Sequence, residues 1–148
     1  MTALNATDTR VVVTSRGEVA LDIDDVEQFE VRTEFHAIDC STGVTTAGEW
    51  QGVRIEDLLE YVGVEETATH VVVTGADGYR VCVPILAALD ALLAVSRVDD
   101  PDAESLPRFV GSGVESTRSV SNVQRIETVE LAPSERPHDY EDLSTAID

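Results

Sequence analysis

The stretch from Thr69 to Val83 constrains the fold more than any other. Val71-Val72-Val73 is its apolar centre. A strand turns successive side chains to opposite faces, so three consecutive valines ask for cover on both sides of a sheet. Gly75-Ala76-Asp77-Gly78 follows as a hairpin turn, and Tyr79 to Val83 supplies the returning strand. Cys82 sits mid-strand between two valines, the place of an inert core thiol.

The remaining segments are short and mostly strand-like. Residues 10–14 (Arg-Val-Val-Val-Thr) and 19–23 flank the turn Ser15-Arg16-Gly17-Glu18 and read as an N-terminal hairpin. Asp24-Asp25 is placed to cap a helical turn running through Val26 to Phe29. From Glu30 to Asp39 the alternation puts Val31, Thr33, Phe35 and Ala37 on one face and Arg32, Glu34, His36 and Ile38 on the other. Residues 41–48 read as a loop of small polar residues, and Glu49 to Val53 as a short extended piece. Ile55, Leu58, Leu59 and Val62 share one side of a helix that Gly63 stops.

A second helix is expected to start at Pro84, with Ile85, Leu86, Leu89, Leu92 and Leu93 as its buried stripe. An acidic loop runs from Asp99 to Glu104. Pro107 to Val110 looks extended, Gly111-Ser112-Gly113 is a flexible break, and Gln124 to Leu131 is the closing strand. The fold class that follows is α+β, with mixed, largely antiparallel sheets and a few helices. Residues 1–131 form the domain. Residues 132–148 form an acidic tail, expected to be loosely ordered apart from a short turn around Tyr140 to Ile147.

Charge excludes several partners. The net charge is −19, which argues against nucleic acid and anionic membrane, since both need a basic surface. All ten positive residues are arginine and none is lysine. Dense carboxylates without lysine suit a protein hydrated at very high salt, where the self-repulsion is screened. A halophilic cytoplasm is the expected setting. No apolar run reaches the roughly 18–20 residues of a membrane helix, and Met1 to Arg10 carries no signal-peptide pattern. His36, His70 and His138 show no ligand spacing, and two cysteines cannot build a four-cysteine zinc site.

One stretch carries the chemistry. Cys40 stands at the end of the strand from Glu30, followed by Ser41-Thr42-Gly43. The small residues let backbone N–H groups approach a bound anion, and the thiol is placed for a metal or a nucleophilic role. A plain surface loop with a buried cysteine is the alternative. His36 is in phase with Cys40, four residues on. Later in the chain, Thr117, Arg118, Ser119 and Ser121 make a polar, partly cationic segment.

In order, these segments resemble the molybdopterin-binding domain of the sulfite oxidase family. They are Phe35-His36-Ala37-Ile38-Asp39-Cys40, Trp50-Gln51-Gly52-Val53 and Ile55-Glu56-Asp57-Leu58-Leu59. The hairpin from Val71 to Val81 follows, then Ala88 to Ala94, Leu106-Pro107-Arg108 and Ser119 to Glu127. The resemblance runs from about Val11 to Leu131. It implies that Cys40 supplies a thiolate to molybdenum, with Ser41 and Thr42 beside it. Arg108, Arg118, Ser119 and Ser121 would then hold the pterin phosphate. One soft protein ligand leaves positions for oxo groups and substrate, and arginine grips phosphate through two parallel hydrogen bonds.

The implied reaction is oxygen-atom transfer with a small oxyanion or sulfoxide, with a separate electron-transfer partner. The chain departs from the family in places. Ser121 stands where the family carries a lysine, the approach around Gly111-Ser112-Gly113 is shortened, and the usual N-terminal pterin contact has no counterpart. Those departures support a second reading, a non-catalytic relative that keeps the fold as a ligand- or protein-binding module. A third is a structural domain with Cys40 buried and unliganded.

Overall fold

The structure is a computed structural model that describes residues 10–22, 28–39, 45–99, 106–114 and 118–143. Three antiparallel hairpins and their neighbours build two sheets. Strands β1 (Val11–Thr14) and β2 (Glu18–Leu21) form the N-terminal hairpin, as expected. Strands β3 (Val31–Asp39) and β4 (Thr45–Arg54) pair along nine positions, from Val31 opposite Val53 to Asp39 opposite Thr45. Helix α1 (Ile55–Val62) follows directly. Strands β5 (His70–Gly75) and β6 (Arg80–Pro84) are the valine hairpin, and α2 (Ile85–Leu89) follows it. Strands β7 (Leu92–Arg97), β8 (Arg108–Val110) and β9 (Val123–Val129) complete the sheets.

The five-stranded sheet has the order β2-β1-β9-β5-β6, and the four-stranded sheet has the order β3-β4-β7-β8. Every named pairing is antiparallel except β1 with β9. This is the mixed, largely antiparallel α+β fold read from the sequence.

The main core lies between the sheets. Val11, Val13, Val71, Val73, Val81, Val83 and Ile126 enter it from the five-stranded sheet. Val53, Leu93 and Phe109 come from the other sheet, and Ile55, Leu58 and Leu59 from α1. Each such side chain contributes about 1.5–3 kcal/mol when fully buried. Val72 and Cys82 face each other across β5 and β6 and are also buried. Alternation turns them to the reverse face, so the valine run is covered on both sides, as its composition demands.

Helix α1 behaves as its periodicity predicts. Glu56 and Asp57 sit in its first turn, where the helix dipole favours negative charge. Gly63 ends it at φ +90°, and its N–H reaches the Glu60 carbonyl.

Two expectations fail. The second helix stops at Leu89, and Leu92 and Leu93 belong to β7. The Ala91 carbonyl accepts the Ile55 N–H, and Leu92 to Ala94 pair with β4 on one side and β8 on the other. Two ladders outweigh one more helical turn, and Leu86, expected in the stripe, is 78% exposed. Strand β4 also starts earlier than expected, at Thr45, because β3 templates it.

The turn expected from Asp24 and the acidic loop from Asp99 lie largely outside the described residues. The tail, expected to be loosely ordered apart from a short turn around Tyr140 to Ile147, forms a 3-10 turn at Pro137–Tyr140 and is tied by an antiparallel bridge between Asp142 and Arg80 on β6; residues 144–148 lie outside the described residues.

Candidate functional site

Strand β3 ends at Asp39, and Cys40, Ser41 and Thr42 lie outside the described residues. Thr117 also lies outside them, and Arg108, Arg118, Ser119 and Ser121 fall on β8 and on the segment leading into β9. Arg108 opens β8 and is half-buried. Its Nε–H donates to the Ser119 hydroxyl at 3.2 Å, and that buried hydroxyl donates to the Phe109 carbonyl at 2.7 Å. Ser119 thus ties the Arg108 guanidinium to the strand carrying it. Ser121 lies two residues on, partly exposed, before Asn122 turns the chain into β9 at φ +52°, a conformation asparagine tolerates.

Arg118 has a different partner. Its Nε–H and Nη2–H donate to the two carboxylate oxygens of Glu141, each at 2.9 Å. The Glu141 oxygen that receives Nε–H also accepts the main-chain N–H of Cys82 at 2.9 Å. The Glu141 side chain is 3% exposed and that of Arg118 29%. Three donors therefore converge on one oxyanion, two of them from a guanidinium fork. Charge-assisted bonds of this kind are shorter and about twice as strong as neutral ones.

The same pair shapes its surroundings. Burial pushes the Cys82 thiol up to about 11, with the Glu141 carboxylate adding to the rise and Arg118 opposing it. Burial likewise raises the Tyr79 phenol. Cys82 is the inert core thiol that its sequence setting suggested.

A cavity of about 420 Å³ adjoins this cradle, lined by Cys82, Pro84, Ala87, Gly113, Arg118 and the tail residue Pro137. Ligand clefts span about 300–1,000 Å³. Arg108 and Ser119 are joined by a hydrogen bond, whereas Arg118 is joined to the tail. Glu141 and the Cys82 N–H were not anticipated. Nothing in the tail's repeated acidic residues distinguishes Glu141 from its neighbours.

A second polar cluster lies on the four-stranded sheet, on the strand leading to Cys40. His36 Nε2 and a Glu34 carboxylate oxygen are 2.8 Å apart. Trp50, opposite Glu34, donates its indole N–H to the His36 carbonyl at 3.1 Å. The Arg97 guanidinium lies 5.0 Å from the Trp50 ring centre and donates to Asp99 and to the Ala47 carbonyl. The hydrogen bond from Arg97 holds the Asp99 carboxyl below the usual carboxylate range. Among the described residues, no three histidine, cysteine, aspartate or glutamate side chains gather in a way that could hold a metal ion. No helix there is long and apolar enough to cross a membrane.

Comparison with known proteins gives one family and one fold. Residues 3–136 match the model of the oxidoreductase molybdopterin binding domain. No curated protein matches the chain. Among solved structures, the fold is similar to the sulfane dehydrogenase SoxCD from Paracoccus pantotrophus, with a TM-score of 0.76 at 19% identity. The match covers 87% of this chain and 40% of that one, so this chain spans less than half the length of that structure.

Proposed function

Because this chain belongs to the family of oxidoreductase molybdopterin-binding domains, we propose that it holds a molybdenum cofactor through Cys40 and a set of arginine and serine anchors. Cys40 would give the metal its thiolate, flanked by Ser41 and Thr42. Arg108, Arg118, Ser119 and Ser121 would receive the pterin phosphate.

The observation that carries this reading is the cradle at Arg118. Its fork and the Cys82 N–H already grip a two-oxygen anion, and the same donors suit a phosphate. The residues present therefore fit the anionic end of the cofactor. When bound, the cofactor would supply two-electron redox chemistry, with oxygen-atom transfer the reaction class and a small oxyanion or sulfoxide the substrate.

The chain's own residues have narrower tasks. Ser119 fixes the Arg108 guanidinium against β8. The Glu34–His36 pair and the stacked Trp50 and Arg97 fix the polar face of the strand that precedes Cys40. A separate protein would carry the electrons, and neither nucleic acid nor a membrane surface is proposed as a partner. The arginine-only, strongly acidic composition supports a cytoplasm rich in salt as the setting.

A second reading, a non-catalytic ligand-binding relative, is favoured by one observation: the Arg118 cradle is filled by the chain's own Glu141. Metal content separates the two. The protein is purified in high salt from a molybdenum-replete host, and molybdenum and released pterin are measured per chain. The first reading expects near-stoichiometric metal that Cys40→Ala abolishes. Metal-free wild-type protein overturns it, and pterin retained by Cys40→Ser without metal supports the second.

A further inference from the structure

We infer that the segment 132–142 is a strap that fills the Arg118 cradle with the Glu141 carboxylate and yields it to a phosphate-bearing ligand. The inference rests on the proposed function for the identity of the natural ligand, but not for the cradle, which stands on geometry alone. It adds regulation: the anchor exists in a closed form, occupied by the chain, and an open form, available to ligand.

The strap is held in a way that permits release. Apart from the inserted Glu141 side chain, the residues from Leu131 to Leu143 are exposed or only partly covered. Apolar burial, the main source of stability elsewhere, therefore contributes little to its docking. Its attachments are polar. Asp142 and Arg80 exchange two main-chain hydrogen bonds of 2.8 and 2.9 Å, and Arg80 Nε–H donates to the Tyr140 carbonyl at 2.8 Å. Other bonds stay within the strap, such as Ala132 N–H to Glu135 and the Tyr140 hydroxyl to Glu135. Segments with few buried apolar contacts open at lower cost than the core.

Glu141 is the exception in this segment. Its side chain is inserted to 3% exposure and binds three donors. The strap also bounds the adjoining cavity of about 420 Å³ through Pro137. Withdrawal would free the fork and enlarge that cavity together. A phosphate offers the same donors more charge than one carboxylate and has oxygens left for further contacts. It would bind only the open form, and a ligand with such a preference shifts the population toward that form. Its apparent affinity falls by the open fraction.

The test uses the full-length apo chain in molar potassium chloride with inorganic phosphate as the probe. Phosphate affinity is measured by calorimetry, and amide exchange is followed at Arg80 and Asp142. Phosphate should accelerate exchange at both amides in the wild type. Glu141→Gln should bind phosphate at least about tenfold tighter, with those amides already exchanging fast, and adding Arg118→Gln should abolish that gain. Equal affinity in wild type and Glu141→Gln overturns the strap, as does wild-type exchange unchanged at saturating phosphate. Should Glu141→Gln fail to fold, the wild-type exchange measurement decides alone. Absence of molybdenum from the purified protein would remove the proposed function and leave these outcomes untouched. Stoichiometric molybdenum with equal phosphate affinities would do the reverse.

Discussion

Replacing Gly52 by alanine tests how the four-stranded sheet is assembled. Gly52 sits at the irregularity where β4 shifts register against β7, between Gln51 and Gly52. A Cβ there would collide with the Leu93 carbonyl oxygen and stand 2.7 Å from Ala94 Cα and 2.8 Å from Leu93 C. All three are main-chain atoms of the neighbouring strand, so no side chain can turn away. Relief needs a separation of at least about 3.4 Å, a strand movement of more than about 1 Å in a sheet whose strands lie about 4.8 Å apart. Overpacking of this kind costs about 1–3 kcal/mol. Stretching the ladder at the Gly52–Ala94 and Val53–Leu93 pairs removes up to about 1 kcal/mol for each bond lost. Alanine's lower unfolded-state entropy returns under about 1 kcal/mol. The net expectation is a loss of about 3 kcal/mol, or about 6–12 °C in melting temperature for a domain of this size.

The chain carries its own reporter for this change. Trp50 is the only tryptophan, 2% exposed and two residues from the substitution. Urea unfolding followed by its fluorescence gives the midpoint directly. Gly113→Ala is the control, because a Cβ there meets Ala87 Cβ at 3.5 Å, an ordinary contact. It should change stability by no more than about 0.5 kcal/mol. A Gly52→Ala protein within about 1 kcal/mol of wild type would refute the close-approach argument.

Two further outcomes follow from the cradle and its surroundings. The Cys82 thiol stands near 11 in the folded chain against 9.0 for a free thiol. Below pH 9 both states keep the proton; between 9 and 11 the unfolded chain loses it first, so stability should fall as pH rises through this range, by less than the full linkage value because solvent screens part of the effect. Urea midpoints across this range should converge between wild type and Cys82→Ala, and parallel curves would contradict the raised value. Ser119→Ala removes a hydroxyl that serves both the Phe109 carbonyl and Arg108 Nε. It should cost about 1–3 kcal/mol in urea unfolding, and a loss under about 0.5 kcal/mol would mean the hydroxyl is not shared in this way.

What could be read from the chain divides by the range of the interactions. The valine hairpin was legible because Val71 to Val73 and Asp77-Gly78 each point to the same local answer. Helix α1 was legible from Ile55, Leu58 and Leu59 with Gly63 behind them. Leu92 and Leu93 were not, since a short apolar run fits a helix stripe or a buried strand equally well. The choice is made by β4 and β8, which are distant in sequence. Thr45 to Gly48 likewise look like loop until β3 is there to pair with them. In the candidate site, Arg118 stood out as a cation in an acidic chain. Its partner, 23 residues away, did not.

That partnership follows from the charge of the whole molecule. A chain with 29 acidic side chains and ten arginines confronts every anion site with competing carboxylates. A tethered competitor acts at an effective concentration of the order of millimolar. Salt screens the exposed carboxylates over about 3 Å at molar strength but weakens a buried pair far less. High salt therefore silences most of the acidic surface while leaving Glu141, inserted beside Arg118, as an effective rival. A ligand with one carboxylate would gain nothing over it. One with a phosphate and further contacts in the cavity would, so on the proposed strap mechanism the acidic tail would set a threshold favouring phosphorylated ligands over simple carboxylates at Arg118.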